Sequence, residues 1–163
     1  MTIHRPNFYG PLSPEMLEDL EQNSGVELPR EYRQFLLEHN GGVPEPRWFV
    51  VPGDEEFDGE AAERPFACFF ALHHRPWNDD TPEGALGFPL QAAWRDFEGA
   101  MLMSNVVPIG KDESGSYICI AHHGPERGQV LYFDHDYDTL RPLAVDFPSF
   151  LAMLHVYPGD EEA

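Results

Sequence analysis

The sequence predicts an α+β protein, with a helical first quarter, an irregular middle and a strand-rich last third that closes with a helix. Apolar residues recur at helical spacing before residue 40 and again after residue 146. Between residues 106 and 134, runs of branched and aromatic residues alternate with turn formers, as in consecutive hairpins. No Ser/Gly-rich linker divides the 163 residues, so residues 1–163 are expected to form a single domain.

Two helices are predicted in the first quarter of the chain. The first runs from the cap residue Ser13 to just before Gly25, and its apolar residues form one short face. The second covers residues 29–39, because a proline fits its first turn and its apolar residues fall on a single stripe. Asn-Gly-Gly at residues 40–42 ends this helix, since Asn and Gly reach a positive φ at low cost.

Two strands are predicted in the middle of the chain, at residues 47–51 and 66–72, which are rich in aromatic and branched residues. The acidic tract between them, GDEEFDGEAAE at residues 53–63, is predicted to be an exposed loop. The next segment, residues 73–88, is rich in turn formers and is predicted to lack regular structure. Helical spacing then returns at three apolar residues: Leu90, Trp94 and Phe97.

The last third is predicted to form three consecutive antiparallel strands and a helix. Alternation within the runs VVPI, YICIA and QVLYFD fits the two faces of a sheet, and GKDESGS and HHGPERG are the turns between them. A C-terminal helix is predicted after the cap residue Asp146, with Pro148 in its first turn. Its apolar face comprises Phe147, Phe150, Leu151 and Leu154.

The charge of the chain favours some partners and disfavours others. Twenty-nine acidic residues against ten basic ones give a net charge of −19, and only one of the bases, Lys111, is a lysine. Such a surface repels nucleic acid and anionic lipid, but it steers a basic protein into contact. The alternative interpretation is that the charge serves solubility alone.

Compartment and thiol chemistry follow from short segments of the sequence. No stretch approaches a membrane span, and the N-terminal residues MTIHRPNFYGPLSPE lack the features of a signal peptide, so a cytoplasmic protein is expected. Cys68 and Cys119 lie in apolar runs and make no metal motif. Both are predicted to be buried thiols.

Two histidine pairs and one Asp-His-Asp run suggest a metal-dependent enzyme as one interpretation. These residues are His73, His74, His122, His123, Asp134, His135 and Asp136. Neither pair has the spacing of a helical zinc motif, and FDHDYD lacks the glycine and closing Glu of a calcium loop. The preferred interpretation is turn and strand-end histidines, with FDHDYD in loop capping, and no metal or cofactor is expected. No G-x-S-x-G nucleophile motif or Walker phosphate loop occurs either.

The best candidates for contact with a partner are exposed acids in irregular segments, together with one tryptophan. They are Asp54, Glu55, Glu56, Asp58, Glu60, Trp77, Asp79 and Asp80. Acids provide electrostatic steering, and Trp is enriched at binding hot spots. The alternatives are a solvated loop for the acids and loop-to-core anchoring for Trp77.

Four segments, in their order along the chain, resemble the SUKH superfamily. They are SGVELPREYRQFLLEHNGGVPEP, VVPIGKDESGSYICIA, GQVLYFDHDYD and DFPSFLAML. The resemblance implies a central, mostly antiparallel sheet packed against N- and C-terminal helices, and no catalysis. Residues 53–88 depart from the pattern of the family, so the resemblance implies nothing about them.

The resemblance also implies a function, because many bacterial members are immunity proteins that neutralise polymorphic toxins by direct binding. Nuclease toxins are basic, and the charge of −19 suits such a partner. The chain is therefore expected to be an immunity protein that occludes a cognate basic toxin, as a monomer. The alternative is a regulatory scaffold that binds a cellular protein without any toxin.

Overall fold

A computed structural model of the protein describes residues 1–8, 10–54, 58–72, 85–86 and 105–160. Three α-helices occur in this part of the chain: Pro14–Ser24 (α1), Arg30–His39 (α2) and Phe147–Met153 (α3). Residues Pro158–Asp160 add one turn of 3-10 helix. The strands are Thr2–His4 (β1), Val43–Glu45 (β2), Trp48–Asp54 (β3), Glu60–Phe69 (β4), Ala71–Leu72 (β5), Ala85–Leu86 (β6), Val106–Asp112 (β7), Tyr117–Ala121 (β8), Val130–Asp134 (β9) and Thr139–Ala144 (β10).

The predicted α+β class is confirmed, since the helices pack against one six-stranded antiparallel sheet. The strand order is β10-β9-β8-β7-β4-β3, and two small sheets, β1-β2 and β5-β6, lie beside it. The hairpins predicted between residues 106 and 134 are present. β10 extends them by a fourth strand that the sequence analysis missed.

Capping side chains set the ends of the predicted helices. The hydroxyl of Ser13 accepts a hydrogen bond from the Met16 amide at 3.1 Å, and Gly25 ends α1 with a φ of 71°. At α3 the Asp146 carboxylate accepts from the Ser149 amide at 2.8 Å, and hydrogen bonding to the side chain and the amide of Ser149 lowers the pKa of Asp146. Each cap satisfies a main-chain group that a helix terminus leaves without an intrahelical partner.

Asn40 joins the end of α2 to two other parts of the chain. It has a left-handed backbone with a φ of 37°, and only 1% of its surface is exposed. Its amide nitrogen donates to the carbonyl oxygens of Gly10 at 2.7 Å and Leu72 at 3.0 Å. Its side-chain oxygen accepts from the Leu72 amide at 2.9 Å. The predicted helix stop is therefore also a buried junction.

Both faces of the main sheet are apolar. The face towards the helices contributes Phe49, Phe66, Phe69, Ile109, Ile118 and Ile120 to the main core. Rings of α2 and α3 meet there, with the centroids of Phe35 and Phe147 5.1 Å apart. Residues at the alternate positions form a second buried cluster, Val106, Cys119, Ala121, Leu131 and Phe133. The period of two in the sequence thus fills both sides of the sheet.

The prediction for residues 53–63 was wrong in part, because most of this acidic tract is strand. β3 continues to Asp54, and β4 begins at Glu60, so only a short connection remains. Pairing with β3 overrides the low strand propensity of Glu and Ala. Residues 85–86 form β6, which also corrects the irregular prediction there. The rest of 73–88 and the stripe Leu90, Trp94 and Phe97 lie outside the described residues.

The two edge strands of the sheet have few main-chain groups left to pair. The Cα atoms of β3 and β10 approach within 8 Å of each other, so the sheet is strongly curled. At the start of β3, Trp48 and His155 exchange both main-chain hydrogen bonds, at 3.0 and 2.8 Å. Pro52 in β3 and Pro142 in β10 have no N–H group, and the register of β10 shifts after Pro142.

The two cysteines differ in burial, which corrects the prediction that both are buried. Cys119 is completely buried in the second cluster, whereas Cys68 is partly exposed. Burial raises the pKa of the Cys119 thiol far above its ordinary value, because the thiolate would be desolvated.

Native protein is therefore expected to show at most one thiol that reacts with Ellman's reagent, against two in guanidinium. The reason is that the thiolate is the reactive species and Cys119 does not form it. The Cys68→Ser variant should show no native reaction at pH 8. Rapid reaction of that variant would mean that the second cluster opens to solvent.

Candidate functional site

The hairpin of β3 and β4 projects beyond the rest of the sheet. β4 pairs with β3 over residues 60–65, but it pairs with β7 only from Phe66 onward, opposite Asp112. The described residues at the tip are all exposed: Pro52, Gly53, Asp58, Gly59, Glu60 and Ala61. We call residues 52–61 the acidic arm. Five of the predicted contact acids, Asp54, Glu55, Glu56, Asp58 and Glu60, belong to it by sequence.

The backbone of the acidic arm turns through residues that tolerate a positive φ. Asp58 has a φ of 55° and Gly59 a φ of 84°. The register shifts between Val51 and Asp54, and Asp54 is then paired with Glu60. The two acidic positions therefore lie opposite each other in the backbone of the hairpin.

The base of the acidic arm is held firmly to the rest of the domain. Val51 and Ala62, which are paired across the hairpin, are buried. The His155 ring contacts the Glu63 carboxylate through Nε2 at 2.7 Å and the Met153 carbonyl through Nδ1 at 3.0 Å. The exposed tip of the acidic arm is therefore joined to a packed, hydrogen-bonded base.

Asp58 and Glu60 make no ion pair within the described residues, whereas some other surface acids do. Elsewhere Glu21 pairs with Arg33 at 2.6 Å, and Glu113 pairs with Arg47. Exposed, uncompensated acids concentrate negative potential at the tip of the arm.

The structure leaves several predicted contact residues untested. Glu55, Glu56, Trp77, Asp79 and Asp80 all lie outside the described residues, as do His73 and His74. Of Asp54, the backbone alone is described.

The Asp-His-Asp run closes a turn after β9, as the loop-capping prediction holds. The carboxylate of Asp134 accepts from the Asp136 amide at 3.0 Å. Potential ligand atoms of Asp134, His135 and Asp136 lie within 4.8 Å of one another. The ring of His135 is already engaged, with Nδ1 2.8 Å from the Ser116 hydroxyl and Nε2 3.3 Å from Asp136. These groups thus serve the turn itself.

A buried polar network that the sequence analysis missed supports the turn between β7 and β8. One oxygen of Asp112 accepts from the amides of Ser114 and Ser116, at 2.9 and 3.0 Å, and the other accepts from the Tyr132 hydroxyl at 2.6 Å. Burial, together with the Asp112 carboxylate, raises the pKa of Tyr132. Ser116 and His135 resemble a nucleophile and its base, but Ser116 is 1% exposed, so its hydroxyl is inaccessible to a substrate.

A cleft of about 330 Å³ lies at the other end of β3. Its lining residues include Pro44, Glu45, Pro46, Trp48, Tyr157 and Asp160. Trp48 and Tyr157 contact each other with ring centroids 4.4 Å apart. The sequence analysis missed this cleft, because its two walls are separated by more than 100 residues along the chain.

Fold and surface together define an acidic α+β domain that presents an exposed hairpin and an aromatic cleft. None of the described helices is long and apolar enough to cross a membrane. The family model of the SMI1/KNR4 family (SUKH-1) matches residues 11–153, and the chain belongs to this family. The resemblance seen in the sequence is thereby confirmed.

Two curated relatives from Bacillus subtilis (strain 168) are similar to the chain. The SPbeta prophage-derived uncharacterized protein YokK is 30% identical over 132 residues, which are 75% of this chain and 62% of the relative. The uncharacterized protein YnaB is 49% identical over 35 residues, 22% of this chain and 24% of the relative. The matches thus span less than two thirds of each relative's length. No solved structure matches the chain.

Family membership supports a domain of the toxin-immunity type at the level of the family. Domains of the family are typically non-enzymatic immunity or regulatory domains, which suggests a protein as the partner.

Proposed function

We propose that this protein is an immunity protein, which binds a cognate basic toxin one to one in the cytoplasm and blocks the toxin's active cleft. The observation that carries the proposal is the acidic arm, an exposed acidic hairpin that projects beyond the sheet. Family membership supplies the functional class, and the net charge of −19 supplies the complementarity to a basic partner.

The arm suits occlusion because its tip is exposed while its base is packed. A nuclease cleft that attracts phosphates is lined with Arg and Lys, which form charge-assisted hydrogen bonds with carboxylates. Asp58 and Glu60 have no ion-pair partner within the described residues, so pairing with a toxin breaks no such bridge there.

Co-expression with the product of the neighbouring open reading frame tests the proposal. Growth should be rescued, and the two proteins should purify as a tight one-to-one complex. Failure to rescue or bind any neighbouring product would instead favour the regulatory scaffold. Single substitutions of Glu55, Glu56, Trp77, Asp79 and Asp80 in the same assay would show whether these residues extend the contact.

Neutralising the acidic arm is expected to slow association with the toxin about tenfold at low salt, because steering depends on local charge. The variant combines Asp54→Asn, Asp58→Asn and Glu60→Gln, and the association rate is measured by surface plasmon resonance. The difference from wild type should shrink at 0.5 M salt, as screening shortens the range of the field.

The matched control neutralises three exposed acids of the helices, Glu18→Gln, Asp19→Asn and Glu31→Gln, which changes the net charge equally. This control should associate at nearly the wild-type rate. Equal slowing by both variants would assign steering to the overall charge and contradict a specific role for the arm.

A further inference from the structure

The cleft at the start of β3 offers an occupant very few main-chain hydrogen-bonding groups. The amide and carbonyl of Trp48 are both bonded to His155. Pro44 and Pro46 have no N–H group, and β2 is already paired with β1. An added strand would therefore find no ladder to extend in this cleft. Its occupant must be recognised through side chains.

The side chains of the cleft form a preorganised aromatic surface. Tyr157 is 39% exposed and its neighbour Val156 is 52% exposed, although both are apolar enough to favour burial. A Cβ atom at Gly159 would lie 2.6 Å from the Tyr157 ring, so the glycine allows this ring to lie against the 3-10 turn and next to Trp48. Trp48 beside it is partly exposed, and accessible Trp and Tyr side chains at a concave surface are typical of binding hot spots.

The cleft also has polar and charged groups, some of which already have partners. Within the described residues, the indole N–H of Trp48 has no hydrogen-bond partner. Arg47 is compensated by Glu113, and Glu45 contacts His4. Asp160 is exposed and makes no ion pair in the same part of the chain. Within the described residues, the Trp48 indole, the Tyr157 hydroxyl and the Asp160 carboxylate are thus side-chain groups of the cleft that make no hydrogen bond or ion pair.

We propose that this cleft binds an extended, proline-containing segment of a partner protein that carries an arginine or lysine. The prolines pack against Trp48 and Tyr157, a carbonyl of the segment accepts from the indole N–H, and the basic residue pairs with Asp160. A polyproline II segment suits these groups, because it has no internal hydrogen bonds and its carbonyls are available.

This inference is independent of the immunity proposal, because the cleft and the acidic arm lie at opposite ends of β3. The probe is a phage library of random dodecapeptides, selected on the wild-type protein and in parallel on Gly159→Ala and Tyr157→Ala. Gly159→Ala displaces the Tyr157 ring without removing any group of the cleft. Selected peptides should be rich in proline with at least one Arg or Lys, and their recovery on both variants should fall at least tenfold.

The proposal is overturned if no peptides are enriched, if enriched peptides lack proline, or if they are recovered equally on the variants. A selected peptide, made synthetically, is then titrated while the Trp48 indole resonance is followed by NMR and assigned with Trp48→Phe. This resonance should shift and saturate, and Asp160→Asn should weaken binding several-fold at low salt. Loss of binding in the acidic-arm triple variant would contradict the proposal, since it would place the contact at the arm.

Discussion

Asn40→Ala is expected to lower the free energy of unfolding by about 3–5 kcal/mol, a large share of the stability of a small domain. The substitution removes two buried hydrogen bonds and one partly buried one, and it leaves the Gly10 carbonyl and both main-chain groups of Leu72 without their Asn40 partner. Alanine is also disfavoured at the left-handed backbone of this position, where φ is 37°. Urea denaturation followed by circular dichroism measures the loss.

Two further variants separate the causes. Asn40→Gly removes the same hydrogen bonds but accepts the backbone conformation, so it should be less damaging than Asn40→Ala. Asn23→Ala changes an exposed asparagine in α1 and should alter stability by no more than about 0.5 kcal/mol. A loss below about 1 kcal/mol for Asn40→Ala would mean that the junction between α2, Gly10 and Leu72 is not formed.

Phe150→Ala is expected to cost about 3–5 kcal/mol, because it empties a space at the centre of the main core. Phe150 is completely buried, and its ring centroid lies 5.9 Å from that of Phe66 and 6.2 Å from that of Phe49. Its side chain packs α3 against the sheet. The loss should appear as a lower urea midpoint with an unchanged denaturant slope.

Phe150→Leu serves as the partial control, since it keeps most of the apolar volume and should cost less than the alanine variant. Tyr137→Ala removes an aromatic side chain that is 52% exposed, and it should change stability by about 0.5 kcal/mol or less. If Phe150→Ala and Tyr137→Ala proved equally mild, α3 would not be packed on the core as described.

Much of the helical structure is predictable because its signals are local. Ser13, Gly25 and Asp146 mark helix ends through bonds to residues a few positions away, and Asn40 marks one through its own backbone. The hairpins after residue 106 are similarly local, since each turn joins neighbouring strands. What the sequence does not reveal at Asn40 is that its side chain also reaches Gly10 and Leu72.

The strands that sequence analysis missed depend on distant partners. Thr2–His4 pairs with Val43–Glu45 across about 40 residues, and neither segment is long enough to show a period of two. β10 contains a proline, which lowers its strand character when considered alone. In the acidic tract, composition indicated a loop, whereas pairing with β3 forms a strand from Glu60 onward.

The candidate sites show the same difference between local and long-range signals. Composition alone identified the acids of the arm, but their projection beyond β7 follows from strand register, which a single sequence does not show. The cleft had no local signal, because Trp48 and Tyr157 meet only after α3 brings the end of the chain back to β3.

The edges of the curled sheet, which are bonded or contain proline, affect whether copies of this protein can associate through β-pairing. At the edge formed by β3, Trp48 is already bonded to His155 and Pro52 has no N–H. β10 is interrupted by Pro142 and its register shift. Edges of this kind offer a second chain no continuous row of main-chain hydrogen-bonding groups with which to pair. We therefore expect the described edges of this sheet to resist edge-to-edge pairing between copies of the protein.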